Sequence, residues 1–280
     1  MKEFDWDYVY CYPDSDILIN KFGIKDSVTL NNVERDLTAI NVNSILKTPI
    51  KGVFDLKHLQ QIHKKLFEDI YDWAGKLRTV NISKGYMFYR FDYLESAANE
   101  LFSKLKNEHY LIGYSTDEVT KRLAYYLGEI NVIHPFREGN GRTQRVFIEY
   151  LAKAAGYDVD FSTVTQDEMI NASIRSFDCD YTPMEQMFSR ITKPVSFVEQ
   201  FQFVKKIAPI KSDLENAFIQ YGCVGGFVTK EQLQQLKESK VPFIAKRSKE
   251  GTVIMASIKD KDIVNLIIHG PPKNNRGQKR

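Results

Sequence analysis

Apolar residues recur every three or four positions along most of the chain up to Arg190, which is the spacing of one face of an α-helix. Between residues 27 and 46 this spacing predicts an amphipathic helix with an apolar face of Val33, Leu37 and Ile40. A second helix is predicted over residues 56–70, with the apolar face Leu59, Ile62, Leu66 and Phe67. The first part of the chain is therefore predicted to be helical.

The same pattern continues on both sides of residue 134. It predicts helices over 93–110, from the capping residues at 115–118 to Ile130, and over 165–177 and 184–191. The helix that contains Ile130 should end before the His134-Pro135 pair, because proline disfavours a helical conformation in the residue ahead of it. An apolar run from Val146 to Ala155 follows and is stopped by Gly156, so a buried helix is predicted there.

Strand signals occur in two places. Two β-prone runs, 77–82 and 86–91, flank Ser83-Lys84-Gly85 and predict a hairpin on the helical body. After a predicted boundary at 192–195 the pattern changes to two helical and two β-prone runs, at 212–219, 229–238, 241–246 and 252–258. We therefore predict a mainly α domain, residues 1–193, and a small α+β domain, residues 194–280, that ends in a basic tail.

Composition narrows the class of protein. The 280 residues include 43% hydrophobic and 27% charged residues, an ordinary globular balance, and a net charge of +3 does not indicate nucleic acid or membrane. The start has no apolar signal core and no run of 18 apolar residues occurs, so we expect a soluble, cytoplasmic protein. The tail beyond Gly270 is basic and is interpreted as a solvated, disordered end.

Several alternative sites are disfavoured by spacing. Three cysteines, Cys11, Cys179 and Cys223, are too few and too separated for a disulfide framework or a zinc site, so reduced thiols are expected. His58 and His63 are five residues apart, a spacing that does not place two ligands on one helical face. The second domain could suggest a winged helix, but its candidate recognition helix is rich in Glu and Gln, which disfavours DNA binding.

Candidate chemistry is concentrated in residues 134–145, here called the motif, with the sequence His-Pro-Phe-Arg-Glu-Gly-Asn-Gly-Arg-Thr-Gln-Arg. A loop that opens a helix directs free backbone amides and the positive end of the helix dipole at one point. We therefore interpret Gly139, Asn140 and Gly141 as an anion cradle. Arg142 should begin the helix, with Arg145 one turn later, so both guanidinium groups can face the same phosphates.

Three other residues complete this interpretation. Glu138 is a hard oxygen donor beside the cradle, which makes it the best candidate for a Mg²⁺ ligand. His134 titrates near neutrality and could take a proton from an attacking hydroxyl, while Phe136 is read as an apolar anchor for the loop. Each residue alone has an ordinary structural interpretation, but their combination in this order at a helix start favours a nucleotide-phosphate site.

The motif resembles, position by position, the signature of Fic-domain proteins, His-Pro-Phe-x-Asp/Glu-Gly-Asn-Gly-Arg-x-x-Arg. The resemblance extends over about residues 8–190 and includes Tyr12-Pro13, Leu18 to Lys21, Trp73-Ala74-Gly75 and the segment 78–85. It implies a Fic fold, a helical bundle with a β-hairpin over about residues 77–91, here called the flap. It also implies transfer of AMP from ATP to a Ser, Thr or Tyr hydroxyl of a target protein, with release of pyrophosphate.

The resemblance also implies a role for each motif residue. His134 would be the general base, Glu138 the Mg²⁺ ligand, and Asn140 with the neighbouring amides, including Gly139 and Gly141, would hold the α-phosphate. Arg142 would grip the β- and γ-phosphates and Arg145 would orient the γ-phosphate. The flap would dock the target segment by strand addition through Ile82, Ser83, Lys84, Gly85, Tyr86, Met87 and Phe88.

Departures from the family pattern bear on donor and regulation. The Gly141-Arg142 pair is lacking in the phosphorylating Doc branch, so adenylylation is favoured over phosphorylation. The inhibitory Ser/Thr-x-x-x-Glu-Gly/Asn motif of many Fic proteins is not found; the near matches at 212–216 and 248–251 have the wrong spacing. We therefore expect a separate small antitoxin to supply the inhibitory glutamate, which would make this chain a toxin.

Two alternatives stay open at this point. The enzyme could use another nucleotide donor, because the motif recognises phosphates and not the base. The chain could also be a non-catalytic adaptor that binds nucleotide. By analogy with the family, targets could be the ATPase subunits of bacterial type II topoisomerases or, for a protein secreted into a host cell, GTPases.

Overall fold

The computed structural model describes residues 7–249, 251–260 and 263, and in this part the chain is mainly helical, as predicted. The α-helices are α1 (Ser27–Lys47), α2 (Leu56–Phe67), α3 (Leu94–Asn107), α4 (Thr116–Ile133), α5 (Asn140–Ala155), α6 (Gln166–Phe177), α7 (Thr182–Ile191), α8 (Phe197–Ile207), α9 (Asp213–Ala217) and α10 (Lys230–Glu238). The strands are β1 (Ser83–Lys84), β2 (Tyr86–Met87), β3 (Tyr157–Val159), β4 (Thr192–Pro194), β5 (Cys223–Val228), β6 (Phe243–Arg247) and β7 (Thr252–Ser257).

Local sequence signals set the ends of the helices around the motif. Helix α4 begins after Ser115, whose hydroxyl accepts the backbone N–H of Glu118 while the Glu118 carboxylate accepts the N–H of Ser115. This reciprocal pair satisfies two of the N–H groups left free at a helix start. Helix α4 ends at His134, which has a left-handed conformation, and α5 runs from its N-cap Gly139 to its C-cap Gly156. The loop between the two helices is therefore short and tightly bounded.

Helix α5 is the central helix of the domain. It packs against α2, α4 and α8, and its apolar residues are buried on several sides, including Val146, Phe147, Ile148 and Leu151. Burial of this many apolar side chains is the main force that fixes the helix in the core. The motif thus lies where a loop enters a buried helix, as predicted.

The buried face of α1 differs from the predicted one. Its buried residues are Leu30, Glu34, Thr38 and Ile45, whereas Ile40, assigned to the apolar face, is 64% exposed. The face is rotated because a carboxylate and a hydroxyl, not aliphatic side chains, are the groups that α1 directs into the protein. The predicted face of α2 is confirmed, and α4 begins after the predicted capping residue Ser115.

Among residues 7–249, 251–260 and 263, three small antiparallel sheets accompany the helices. Strands β1 and β2 pair Ser83 with Met87 and Lys84 with Tyr86, so the predicted hairpin exists but is much shorter than its β-prone runs. Strands β3 and β4 form a second pair, and the third sheet has the order β5-β7-β6. Strand β5 was not predicted, because its central Gly225-Gly226 pair disfavours a strand.

The buried apolar side chains of the described part of the chain form two clusters. The main cluster includes Phe197, Val204 and Ile207 of α8 and continues as far as Cys223. The smaller cluster contains Val228, Leu236, Ile254, Ala256 and Ile263. Helix α8 is therefore part of the main core, and the change from one cluster to the other comes later in the chain than the predicted division at residue 193. The basic tail lies outside the described residues, and within those residues no helix is both long and apolar enough to cross a membrane.

Candidate active site

His134 is held at the C-terminal end of α4 with its ring in a defined orientation. Its φ of 48° is left-handed, and its backbone N–H donates to the carbonyl of Ile130 at 3.0 Å. The ring atom Nδ1 lies 3.2 Å from the carbonyl oxygen of Asn131. Because a carbonyl only accepts, Nδ1 carries the proton of the neutral ring, and Nε2 keeps its lone pair. The geometry therefore presents His134 as a proton acceptor through Nε2.

The surroundings of His134 keep its ring neutral. Burial lowers its pKa to about 3, and the positive charges of Lys84 and Arg78 act in the same direction. The ring stacks on Phe88, with the two centroids 3.7 Å apart. Phe88 was assigned to target docking, but the structure buries it between His134 and Phe177, so it supports the histidine and presents no open surface.

Arg78 connects the flap to the motif. It is only 2% exposed, and burial lowers its pKa to about 10. Nε donates to the carbonyl of His134 at 2.8 Å, and Nη2 donates to that of Ile133 at 3.3 Å. Nη1 donates to Val80 at 2.7 Å, and Nη2 also donates to Tyr89. One guanidinium thus joins both ends of the flap to the end of α4, where the free carbonyls of a helix favour a positive charge.

The motif loop is closed by its own side chains. Asn140 is 3% exposed; its Oδ1 accepts the N–H of Phe136 at 3.0 Å, and its Nδ2 donates to the carbonyl of Phe136 at 2.8 Å. The Asn140 carboxamide therefore shapes the loop, leaving one of its two N–H groups for a ligand. Gly139 has a φ of 80°, and a Cβ there would lie 2.2 Å from the Phe67 ring. Only glycine fits at this position.

The start of α5 offers free backbone amides. Gly139 N–H donates to the Glu138 carboxylate at 2.8 Å. Among the described residues, the N–H groups of Asn140, Gly141 and Arg142 have no acceptor, as expected for the first turn of a helix. These three groups, here called the amide cradle, form an anion-binding position at the positive end of the α5 dipole.

His63 holds the loop from the side of α2. Its Nε2 donates to the carbonyl of Glu138 at 3.0 Å, and its Nδ1 accepts the N–H of Gly75 at 2.8 Å. The ring stacks on Phe136 with the centroids 3.8 Å apart, and burial lowers its pKa to about 3. His63 therefore acts as a neutral structural histidine, and Phe136 is an anchor in the way that was predicted from sequence.

Glu138 fits the role of a single carboxylate ligand for Mg²⁺. Its Oε1 accepts from Gly139 and lies 3.7 Å from Arg142 Nη2, while about a third of the side chain is exposed beside a cavity of about 420 Å³. No cluster of three or more acidic, histidine or cysteine ligands occurs among residues 7–249, 251–260 and 263. A Mg²⁺ ion would thus need further oxygen ligands from nucleotide phosphates and water, which is its usual coordination.

The two motif arginines have different environments. Arg142 donates to Glu34 and, at 3.1 Å, to the hydroxyl of Thr38, and its guanidinium lies 4.9 Å from the centroid of the Phe67 ring. Arg145 makes no ion pair or hydrogen bond with the described residues, and its Nη1 would lie 3.5 Å from a Cβ placed on Gly141. The helix begins at Asn140, two residues before the predicted start, but both arginines lie in its first two turns.

Arg145 faces a cavity of about 500 Å³ between α5, α6 and the segment at Phe161. Burial and the nearby Arg142 lower its pKa. Glu149, one turn further along α5, is the acid whose charge acts on it, and burial raises the pKa of Glu149 to about 7. Arg145 is thus a poorly compensated cation at the edge of the cradle, suited to an incoming anion.

The flap presents an open strand beside His134. Ser83, Lys84, Gly85, Tyr86 and Met87 are exposed and Ile82 is half-buried. Tyr86 stacks on Phe177, and the N–H of Tyr89 donates to Val132 of α4 at 3.2 Å. Strands β1 and β2 pair only with each other in the described part of the chain, so their outer edges are available to another strand.

The fold and site define a helical protein in which an anion-binding position opens the central helix α5. A family model described as Fic/DOC matches residues 53–152. The "probable protein adenylyltransferase Fic" of Escherichia coli is 38% identical over 183 residues, which are 65% of this chain and 90% of that protein. The chain belongs to the Fic/DOC family.

Two further comparisons extend this result. The protein adenylyltransferase VbhT of Bartonella schoenbuchensis is 44% identical over 169 residues, 60% of this chain, and the match spans only 35% of VbhT. The N-terminal Fic domain with bound ADP from Bartonella quintana is 33% identical, with a TM-score of 0.64 over 67% of this chain and 95% of that domain. The predicted Fic fold is thus confirmed.

Three site residues were missed from the sequence: Arg78, His63 and Glu34. Arg78 lies in a β-prone run, where an arginine is ordinarily assigned to the solvent side. His63 was considered only as a metal ligand. Glu34 lies four residues after Leu30 and four before Thr38, so the three residues share one face of α1. A carboxylate on the same helical face as a buried leucine is the signal that could have identified Glu34.

Proposed function

We propose that this protein is an adenylyltransferase that transfers AMP from ATP to a hydroxyl side chain of a target protein and releases pyrophosphate. Relatives named protein adenylyltransferase, at 44% and 38% identity, support this activity, and the relative with bound ADP supports nucleotide binding. The observation that carries the proposal is the placement of a neutral His134, with Nε2 unprotonated, at the end of the loop that leads into the amide cradle.

The proposed reaction uses this arrangement directly. Nε2 of His134 takes the proton of the target hydroxyl, whose oxygen attacks the α-phosphorus of ATP while the bond to the β-phosphate oxygen breaks. The amide cradle and Asn140 stabilise the charge on the α-phosphate, and Arg142 and Arg145 stabilise that on the departing pyrophosphate. Glu138 would hold Mg²⁺, which neutralises phosphate charge when bound.

The flap is proposed to dock the target. Its exposed residues from Ser83 to Met87 lie on a two-stranded sheet with free edges, which suits strand addition by an extended segment. The Phe88 ring covers one face of the His134 ring. A docked hydroxyl would therefore approach His134 from the exposed part of the flap.

Regulation is proposed to act through Arg145. Arg145 forms no ion pair among the described residues, and a glutamate from a small antitoxin could pair with it and block the γ-phosphate. The chain would then be the toxin of a toxin-antitoxin pair. Two results would support this role. The chain would copurify with a coexpressed small partner that inhibits transfer, and Arg145→Ala would no longer be inhibited by that partner.

Labelled nucleotide tests the reaction. Purified protein is incubated with a lysate and with ATP labelled at the α- or the γ-phosphate. Protein label from α-labelled ATP alone is expected, and label from the γ-position alone would replace adenylylation with phosphorylation. Replacing His134 with Ala should abolish transfer in a folded protein, and competition with GTP and UTP tests the donor base.

Mass spectrometry of the labelled lysate identifies the target. An added AMP on Ser, Thr or Tyr of a topoisomerase ATPase subunit would support a bacterial toxin, whereas modification of a host GTPase would support an effector. Nucleotide binding without any transfer would favour the non-catalytic adaptor.

A further inference from the structure

Helix α1 contributes a buried carboxylate to the motif helix. Glu34 uses both of its oxygens: Oε1 accepts from Arg142 Nη2, and Oε2 accepts from the hydroxyl of Tyr71. Its side chain is 10% exposed. We propose that Glu34, held by Tyr71, is a positioning residue that directs Arg142 toward the β- and γ-phosphates of the nucleotide. This inference rests on the proposed function, because it assumes that the site binds a nucleoside triphosphate.

The guanidinium of Arg142 is fixed on three sides. Nη2 contacts Glu34, Nη1 donates to Thr38 at 3.1 Å, and the ring of Phe67 lies under the guanidinium carbon at 4.9 Å. These contacts use two of the five N–H groups, so three remain for phosphate oxygens. A guanidinium that is already fixed loses less side-chain freedom when phosphate binds, which favours binding.

A carboxylate beside a phosphate-binding arginine could instead compete with the phosphate. Two features favour positioning over competition. Both carboxylate oxygens of Glu34 are already engaged, one by Arg142 and one by the hydroxyl of Tyr71, and Arg142 lines a cavity of about 420 Å³ together with Glu138, Glu34 and Tyr71. Nη2 of Arg142 is already only 3.7 Å from Glu138 Oε1. Without Glu34, Arg142 is expected to move onto Glu138 and so engage the candidate Mg²⁺ ligand.

The test compares two nucleotides that differ only in the phosphates that Arg142 should contact. Calorimetry measures binding of a non-hydrolysable ATP analogue and of AMP to the full chain and to Glu34→Gln. We expect binding of the analogue to weaken about tenfold, the loss of one charge-assisted contact, while AMP binding changes less than about twofold. Tyr71→Phe retains the ion pair and should weaken analogue binding in the same direction by a smaller factor.

The chain offers a matched control away from the site. Glu108 accepts from Arg122 at 2.6 Å and from the hydroxyl of Tyr126 at 3.0 Å, and its side chain is 20% exposed. Glu108→Gln therefore removes the same kind of Glu–Arg–Tyr network from another part of the core. It should lower thermal stability by an amount similar to Glu34→Gln without changing binding of the analogue.

Several results would overturn the positioning role. These are unchanged or tighter binding of the analogue by Glu34→Gln, equal weakening of AMP and analogue, or the same weakening in Glu108→Gln. If Glu34→Gln does not fold, Tyr71→Phe decides by the same criteria. A wild-type protein that binds the analogue but never transfers AMP would refute the proposed function and leave the positioning role standing.

Discussion

Arg78 gives the sharpest stability prediction, because one side chain satisfies four backbone carbonyls. Arg78→Met keeps much of the aliphatic volume but removes the donors to Val80, Tyr89, Ile133 and His134. A buried carbonyl without a partner costs about 1–3 kcal/mol. The carbonyls on the exposed flap can regain water, so we count mainly those of Ile133 and His134. The expected loss is about 3 kcal/mol of unfolding free energy.

Urea unfolding followed by circular dichroism measures this loss. Arg78→Lys retains the charge but has no planar fork, so it should satisfy fewer carbonyls and recover only part of the stability. Arg90→Met is the control, because Arg90 forms only an exposed ion pair with Asp92 at 2.9 Å. This variant should change the free energy of unfolding by less than about 0.5 kcal/mol. The reasoning fails if Arg78→Met is no more destabilising than Arg90→Met.

The remaining predictions concern the loop, the base and pH. Gly139→Ala should destabilise the protein by about 2 kcal/mol or more, because the new Cβ would meet the Phe67 ring. Gly141→Ala is the control and should fold normally, and equal denaturation curves for the two variants would contradict this reasoning. Phe88→Leu should lower kcat with little change in ATP affinity, because the ring that stacks on His134 is lost. Single-turnover labelling measures this effect, and an unchanged kcat would contradict the prediction. Burial lowers the pKa values of His58, His63 and His134 to about 4, 3 and 3, so below pH 6.5 the unfolded chain binds more protons than the folded chain. The free energy of unfolding should therefore fall between pH 6.5 and 5, by at most about 2 kcal/mol for each histidine. Glu149, whose pKa is raised to about 7, opposes this trend, but it is one group against three histidines. Equal urea midpoints at pH 7.5 and 5 would refute the predicted fall in stability.

The apolar spacing predicted both α1 and α2 as helices, but it predicted the buried face of α2 only. The apolar spacing of α2 matches its buried face, because aliphatic side chains fill those contacts. In α1 the inward groups Glu34 and Thr38 are polar, so the apolar spacing indicates a face with Ile40, which is exposed. Burial of Glu34 depends on Arg142 and Tyr71, which are distant in sequence, and single-sequence spacing does not reveal such pairs.

The motif residues were predictable because their chemistry is local. Gly139, Asn140 and Gly141 form a helix start within a few residues, and the end of α4 at His134 follows from Pro135. Phe88 and Arg78 were not predictable in the same way. Their positions depend on how the flap folds back over α4, which brings residues 78 and 88 to a histidine about fifty positions away.

The different surroundings of Arg142 and Arg145 suggest why one of them would be the point of control. Both lie at the start of α5, but Arg142 forms an ion pair with Glu34, whereas Arg145 forms no ion pair among the described residues and feels only the charge of Glu149 as an acid. An external carboxylate would gain less at Arg142, because the buried carboxylate of Glu34 already compensates much of the charge of that guanidinium. At Arg145 the same carboxylate would meet a poorly compensated cation facing a cavity. The proposed inhibition in trans is therefore expected to act at Arg145, while Arg142 would stay engaged with Glu34 and with the proposed nucleotide.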